Sequence, residues 1–289
     1  MNVVFTVEGF LFIDKPAGLT SHDVVNRVRR LTGEKRVGHA GTLDPFATGL
    51  LIVGVGRMAT REMQKLVGLD KVYEAEFVLG ASSDTDDRTG VITPLPIVVA
   101  PGFPARQPVH RSFSEGGSFS DGGSLGSGGA PRLKPGATDW KTIEEALKPF
   151  LGKISQIPPT YSAIKINGKK MYEEARKGKP MEAKPRVVNI YKLDIGLIGP
   201  RGPMISVTVK IHCSSGTYIR SIARDLGRAL GGGGYVEQLR RTAIGPFSVS
   251  DSQTLESLGD SLTTSLIPVS ELLSRLLTNT SGNANLPIA

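Results

Sequence analysis

The sequence holds a single cysteine, Cys213, and that scarcity excludes a good deal. One thiol cannot form an internal disulfide or a cysteine-based zinc knuckle, and it suits a reducing compartment. The four histidines (His22, His39, His110, His212) are scattered, without an H-x-x-x-H spacing, so no metal site is expected. No apolar run approaches membrane-spanning length, and Met1–Gly9 lacks the basic start and long apolar stretch of a signal peptide. A cytoplasmic protein is therefore expected. The chain also has no G-x-x-x-x-G-K-[ST] loop, and no G-x-G-x-x-G between strand and helix, which argues against a mononucleotide site.

What is present in excess is positive charge. Lys and Arg number 35 against 27 Asp and Glu, giving a net charge of +8 and a pI near 9.6. Such a balance favours a polyanionic partner, because basic side chains displace counterions from phosphates. Many basic proteins bind no nucleic acid, so charge alone leaves the question open. The hydrophobic fraction of 39% and charged fraction of 21% are ordinary for a globular protein, and 289 residues allow one large domain or two smaller ones.

Phe10–Asp14 reads as a short strand, followed by a Lys15-Pro16-Ala17-Gly18 turn. Thr20 and Asp23 form a capping-box signature for a helix with Val24, Val25, Val28 and Leu31 on one face and Gly33 at its C-terminal end. Its other face carries Arg27, Arg29 and Arg30, either a solvated surface or a phosphate-contacting one. Leu50–Val55 reads as a buried strand and Arg61–Val67 as a short helix closed by Gly68. Val72–Leu79 and Ile205–Cys213 alternate as half-buried strands, and Thr142 with Glu145 starts a helix carrying Ile143, Ala146, Leu147 and Phe150. Helices interspersed with one-sided strands imply an α+β fold on an antiparallel or mixed sheet. Residues 101–137 are dominated by Gly, Ser and Pro and are expected to form a mobile surface insertion within the domain. A helix is expected around Ser270–Leu277, with an unstructured tail beyond.

Three segments can carry chemistry. In Arg36–Gly49, glycines 38 and 41 flank His39, and Thr42-Leu43-Asp44-Pro45 leads into a strand. This is a tight loop that presents side chains at a strand edge, although Asp before Pro is also a common turn former. In Cys213–Ile222 a strand runs into a Gly-Thr turn and a helix with Ile219, Ile222, Ala223 and Leu226 inward and Thr217 as candidate N-cap. Arg220 then lies in the first turn, where a cation opposes the helix dipole and calls for an anionic partner. In Gln156–Lys165 a Pro158-Pro159 pair stiffens an extended segment whose Tyr, Lys and Arg mixture suits base stacking and phosphate contact.

Taken in order, these segments resemble the TruB family of pseudouridine synthases. Gly38-His39-Ala40-Gly41-Thr42-Leu43-Asp44-Pro45 with Ala47-Thr48-Gly49 looks like the family signature. Asp14-Lys15-Pro16 with Gly18, Thr20 and Ser21 precedes it. Lys71-Val72-Tyr73, Leu79-Gly80, Asp84-Thr85-Asp86, the Gln156–Lys165 stretch, Gly216-Thr217-Tyr218-Ile219-Arg220 and Leu239-Arg240-Arg241-Thr242 follow. The match covers roughly residues 9–250 apart from the insertion.

The resemblance implies isomerisation of a uridine in RNA to pseudouridine, in bacterial-type members the T-loop uridine 55 of tRNA, with no cofactor or metal. It implies a catalytic domain over 1–255, built on a mixed, largely antiparallel sheet with helices and RNA-binding loops, and a short C-terminal extension over 256–289. No complete PUA domain is expected in that extension, and the protein is expected to act as a monomer. By motif, Asp44 is the catalytic carboxylate and Tyr73 the residue against the uracil that serves as acid or base for C5. Arg220 is the counterion that offsets the effect of burial on Asp44. Tyr218 and Leu239 line the uridine pocket, and His39 fills the space left by the flipped nucleotide. Lys15 and Pro16 shape the fold nearby. Two alternatives stay open: a synthase acting on another structured RNA, and a non-catalytic tRNA-binding or folding chaperone.

Overall fold

Local hydrogen bonding sets the first helix. The Asp23 main-chain N–H donates to the Thr20 hydroxyl (3.0 Å) while the Thr20 N–H donates to the Asp23 carboxylate (2.9 Å), and Gly33 closes the C-terminus in the left-handed region (φ 68°). The computed structural model describes residues 7–100, 103, 105, 107–114 and 138–280. Its elements begin with β1 (Gly9–Lys15), α1 (Ser21–Thr32), β2 (Val37–His39), β3 (Thr48–Val55), α2 (Gly56–Val67), β4 (Lys71–Leu79), β5 (Ala81–Ser83), β6 (Ile92–Pro94) and β7 (Gln107–Ser114). There follow α3 (Trp140–Leu147), β8 (Gly152–Gln156), β9 (Lys165–Ile166), β10 (Lys169–Lys170), α4 (Met171–Arg176), β11 (Arg186–Arg201) and β12 (Met204–Cys213). The last are α5 (Ile219–Ala229), β13 (Gly234–Ile244), β14 (Phe247–Ser248), α6 (Leu258–Ser265) and α7 (Val269–Thr280). The chain divides into two compact units, Met1–Tyr73 with Arg240–Ala289, and Glu74–Leu239, the divisions falling within β4 and β13.

In the first unit β1 runs antiparallel to β3, from Gly9 opposite Val55 to Lys15 opposite Gly49. Both faces of this pair are buried. Leu11, Ile13, Leu51 and Val53 pack with Val24, Val25 and Val28 of α1 and with Leu255 and Leu258. Phe10, Phe12, Leu50 and Ile52 pack with Ala59, Met63 and Leu66 of α2 and with Phe247 and Leu272. Each such side chain contributes about 1.5–3 kcal/mol on burial, which explains why β3 reads as a continuous apolar run. The residues expected as an extension beyond 255 thus supply core side chains, and α7 reaches Thr280 rather than ending near Leu277; residues 281–289 lie outside the described ones. The other edge of β3 is shared. Val53–Val55 pair with β2, Ile52 accepts from the Ala40 N–H, and Thr48 and Gly49 pair in parallel with Arg240 and Arg241 of β13. The loop bearing Asp44 leaves from the gap between these pairings.

In the second unit β12 lies between β4 and β11, and the N-terminal part of β13 lies beside β4. The outer edge of β11 pairs antiparallel with β8 over Arg186–Ile190 and with β7 over Lys192–Ile198. The α+β architecture with a mixed, largely antiparallel sheet agrees with the sequence. Three details differ. The stretch 101–137, expected to lack regular structure, contains strand β7; its Gly and Ser cluster at 115–129, and averaging over the whole stretch hides Val109 and Phe113, while 115–137 lie outside the described residues. Helix α3 starts at Trp140 because Asp139, not Thr142, accepts from the Thr142 N–H (2.7 Å). Helix α2 begins five residues before Arg61, at Gly56.

Gly49 carries the parallel pairing. It sits at φ 101°, and a Cβ there would stand 2.2 Å from the Arg241 carbonyl oxygen. Gly49→Ala is expected to lower stability by more than about 3 kcal/mol, read by urea denaturation. An unchanged midpoint would show that β3 and β13 do not meet this closely.

Candidate active site

Asp44 stands half-buried in the loop between β2 and β3, and three side chains hold its flanks. Ser21, the first residue of α1, accepts from the Leu43 N–H (2.9 Å) and donates to the Leu43 carbonyl (3.2 Å), bracketing the residue before Asp44 at two points. Lys15 Nζ donates to the carbonyls of Pro16 (2.9 Å), Leu19 (2.7 Å) and Pro45 (3.3 Å). Arg241 donates from Nε to the Leu50 carbonyl (2.8 Å) and from Nη2 to the Gly41 carbonyl (3.0 Å). Lys15 and Arg241 are both fully buried. Next to Arg241, Arg240 makes a bidentate pair with Asp14 (2.9 and 2.7 Å).

A buried ammonium is costly, and burial lowers the Lys15 pKa to about 8; the Asp44 carboxylate works against that fall and Arg241 adds to it. Asp44 is thus within the electrostatic reach of Lys15. His39 ends β2 opposite Val53, and burial, helped by the Arg241 guanidinium, holds its pKa below the ordinary value. Tyr73 is buried on β4, as are Ala75 and Phe77 of the same strand face. Asp44, His39 and Tyr73 belong to the first unit; Tyr218, Arg220 and Leu239 belong to the second.

In the second unit Arg220 lies in the first turn of α5, only 3% exposed. Its own unit provides an acid: Nη1 is 3.4 Å from the Asp87 carboxylate, with hydrogen bonds to the carbonyls of Thr85 (2.9 Å) and Tyr161 (3.0 Å). One turn on, Arg224 pairs with Asp86 (2.9 Å), whose pKa burial raises against the pull of that guanidinium. The N-cap position of α5 is held by Tyr218, one residue later than expected; Thr217 donates instead to the Ser214 carbonyl (2.9 Å). Arg186 lies over the Tyr218 ring at 5.6 Å, and Leu239 is buried on β13.

Ser21, Asp87 and Arg241 carry these contacts without having been singled out as site residues. All three fall inside or beside quoted motifs, which is the one signal that could have found them. Among the described residues no three His, Cys, Asp or Glu side chains group as metal ligands, and no helix is long and apolar enough to cross a membrane.

Lys15→Met leaves the Pro16 and Leu19 carbonyls without this donor and is expected to cost about 2 kcal/mol at pH 7 by urea denaturation. Because the folded pKa of Lys15 lies below its unfolded value, the charge penalty is complete below about pH 8 and is relieved as pH rises toward 10.5. The stability difference between native and Lys15→Met should therefore widen over that interval, by up to about 3 kcal/mol. A flat difference would contradict the burial of the charge.

Comparison with known proteins bears on this arrangement. The model of the TruB family pseudouridylate synthase N-terminal domain matches residues 29–100 and 132–219, and that of the tRNA pseudouridylate synthase B C-terminal domain matches 220–279. A protein of Thermobifida fusca named tRNA pseudouridine synthase B is 40% identical over 268 residues, covering 91% of this chain and 78% of its own length. Its namesake from Arthrobacter is 39% identical over 258 residues, covering 89% and 72%. Among solved structures, a Cbf5-Nop10-Gar1 complex gives a TM-score of 0.60 at 23% identity, covering 96% of this chain and 68% of that one. An H/ACA RNP bound to a substrate RNA containing 2'-deoxyuridine gives 0.58 at 22% identity, covering 92% and 61%. The structures share the fold, and the sequence matches settle the lineage: the chain belongs to the TruB family of pseudouridylate synthases.

Proposed function

We propose that the chain isomerises a specific uridine of RNA to pseudouridine, and that its substrate is the T-loop uridine of tRNA. The observation that carries this reading is Asp44, a carboxylate on a loop that a hydroxyl and two buried cations hold in place, within the family's own motif. A binding protein would have no need of that carboxylate. The names of the curated relatives support tRNA as the substrate class, and the T-loop position rests on the resemblance of the motifs.

The N1–C1′ bond of the target nucleotide breaks, the uracil turns, C5 bonds to C1′, and the C5 proton departs while N1 takes up a proton, so that the product is an isomer of the substrate. Attack by Asp44 on C1′, attack on C6 and a glycal route all use its ionised form. The Lys15 ammonium beneath the loop favours that form. Arg220 is assigned as the further counterion, Tyr73 as the acid or base for C5, and Tyr218, Leu239 and His39 as pocket residues around the extruded base. The β9–β10 hairpin exposes Lys165 and Lys169, with Lys177 and Lys179 exposed beyond α4, which supports phosphate contact by this segment. Residues 1–255 are read as the catalytic portion, and the protein as a cytoplasmic monomer that binds the tRNA T-arm.

Purified protein incubated with unmodified tRNA transcript is expected to yield pseudouridine in the T-loop by chemical labelling, and Asp44→Asn none. Equal product from the variant would remove Asp44 from the reaction. Labelling confined to other RNAs would reassign the substrate, and tight tRNA binding without product would favour a folding chaperone.

A further inference from the structure

Gln156 ends β8 with its side chain 2% exposed, and both polar atoms of its amide go to one residue. Nε2 donates to the Tyr218 carbonyl (2.9 Å), and Oε1 accepts from the Tyr218 N–H (2.8 Å). The two bonds copy a narrow β-ladder pair and fix the main chain of a residue that belongs to no strand. Register places Arg186 directly opposite Gln156, so both side chains leave the same face of the strand pair. One grips the Tyr218 main chain, and the other lies over its ring at 5.6 Å.

The same contacts govern the approach to α5. Tyr218 is its N-cap residue, so its φ and ψ set the direction in which the helix starts and where Arg220, two residues on, emerges. The chain after Gln156 is tied to that helix as well: Ser221 Oγ (2.8 Å) and Arg224 Nη2 (2.9 Å) both donate to the Ile157 carbonyl. Buried Pro158 and Pro159 restrict what lies between these ties and Tyr161.

We infer that Gln156 is a positioning residue for uridine isomerisation, holding Tyr218 and the first turn of α5 in the orientation the reaction needs. The inference rests on the reading of Tyr218 as a wall of the uridine pocket. Gln156 itself touches no reacting atom. A misplacement of the order of 1 Å costs up to about a hundredfold in rate, so the effect belongs in the chemical step rather than in RNA affinity.

The test uses the full chain and unmodified tRNA transcript, with single-turnover rates, tRNA Kd and Tm for Gln156→Ala, Tyr218→Ala and the double variant. Gln156→Ala is expected to slow the single-turnover rate about tenfold to a hundredfold, with Kd within about threefold of native. In the double variant the loss added to that of Tyr218→Ala should be smaller than the loss from Gln156→Ala alone, because the Tyr218 ring is part of what Gln156 positions; the remainder passes through the main chain of residue 218 to the first turn of α5. Gln156→Glu keeps the shape and the acceptor, but its carboxylate would face the Tyr218 carbonyl oxygen. Only its protonated form can donate there, so its rate should fall with rising pH in a step the native chain lacks. This variant carries the test should Gln156→Ala not fold.

A bracket with a merely structural role would lower Tm and leave both the rate of the folded molecules and the pH profile of Gln156→Glu unchanged; that result overturns the inference. A slow Tyr218→Ala beside a native-like Gln156→Ala overturns Gln156 alone. Losses that multiply in the double variant overturn the route through Tyr218. Native turnover by Tyr218→Ala removes Tyr218 from the pocket and Gln156's role with it, while a native chain that makes no pseudouridine overturns the activity itself.

Discussion

Irregular backbone around the expected site is held by buried cations, and much else depends on that. Loop carbonyls outside helices and strands need donors once water is excluded. Lys15 and Arg241 supply them to Pro16, Leu19, Pro45 and Gly41, and Arg220 supplies them to Thr85 and Tyr161. A carbonyl dipole satisfies a donor without cancelling its charge, so each buried cation still calls for a carboxylate. For Arg220 the acid of its own unit is Asp87, and for Lys15 the larger of two favourable charges is Asp44, ahead of Asp23. Scaffold and chemistry are thereby joined: the carboxylate assigned to the reaction also balances the cation that holds its loop.

A second device recurs where chain meets helix. Ser21 grips the N–H and carbonyl of Leu43, and Gln156 grips those of Tyr218. In one case the helix start provides the gripping side chain, and in the other it is what is gripped. Either way a residue in a loop acquires the paired hydrogen bonds of a strand without a strand beside it, and the residues that follow inherit a defined direction. Preorganisation of this kind is what a site needs when its charges must act without rearranging.

Legibility from sequence followed the range of the forces involved. The α1 cap, formed by Thr20, Asp23 and Gly33, is local and was readable in full. Most of β3 and β12 was readable too, from a continuous apolar run and clean alternation, although β3 starts at Thr48 rather than Leu50 and β12 at Met204 rather than Ile205. Strand β11 was not readable, because bulges between Ile190 and Lys192 and between Ile195 and Ile198 reset its phase, and Gly196, Gly199 and Pro200 look like turn residues. On β13 the fully buried Arg241 occupies a place where an apolar residue would have announced a strand. Asp44 was singled out through its motif, with Lys15 as a group shaping the fold nearby, but the other two groups that hold the loop were not: Ser21 acts across 22 residues, and Arg241 reaches Gly41 across 200. Contacts of that span leave no periodic trace.

Strand β7 has a consequence for the outer edge of β11. It lies in the stretch 101–131 that falls between the two matched pieces of the family's N-terminal domain, and it pairs with Lys192–Ile198 of β11 just where β8 stops. An uncovered edge of that length would offer a ladder of N–H and carbonyl groups to any extended peptide, including the same edge of another molecule. With β8 and β7 laid end to end along it, the β11 edge is occupied by the chain's own strands over Arg186–Ile190 and Lys192–Ile198. Among the described residues the outer edge is β7, a shorter strand that carries Pro108, an exposed Arg111 and a kink at His110 in the left-handed region (φ 41°), features that resist edge-to-edge growth. Strand β7, in the stretch that interrupts the family match, thus completes the cover along the β11 edge.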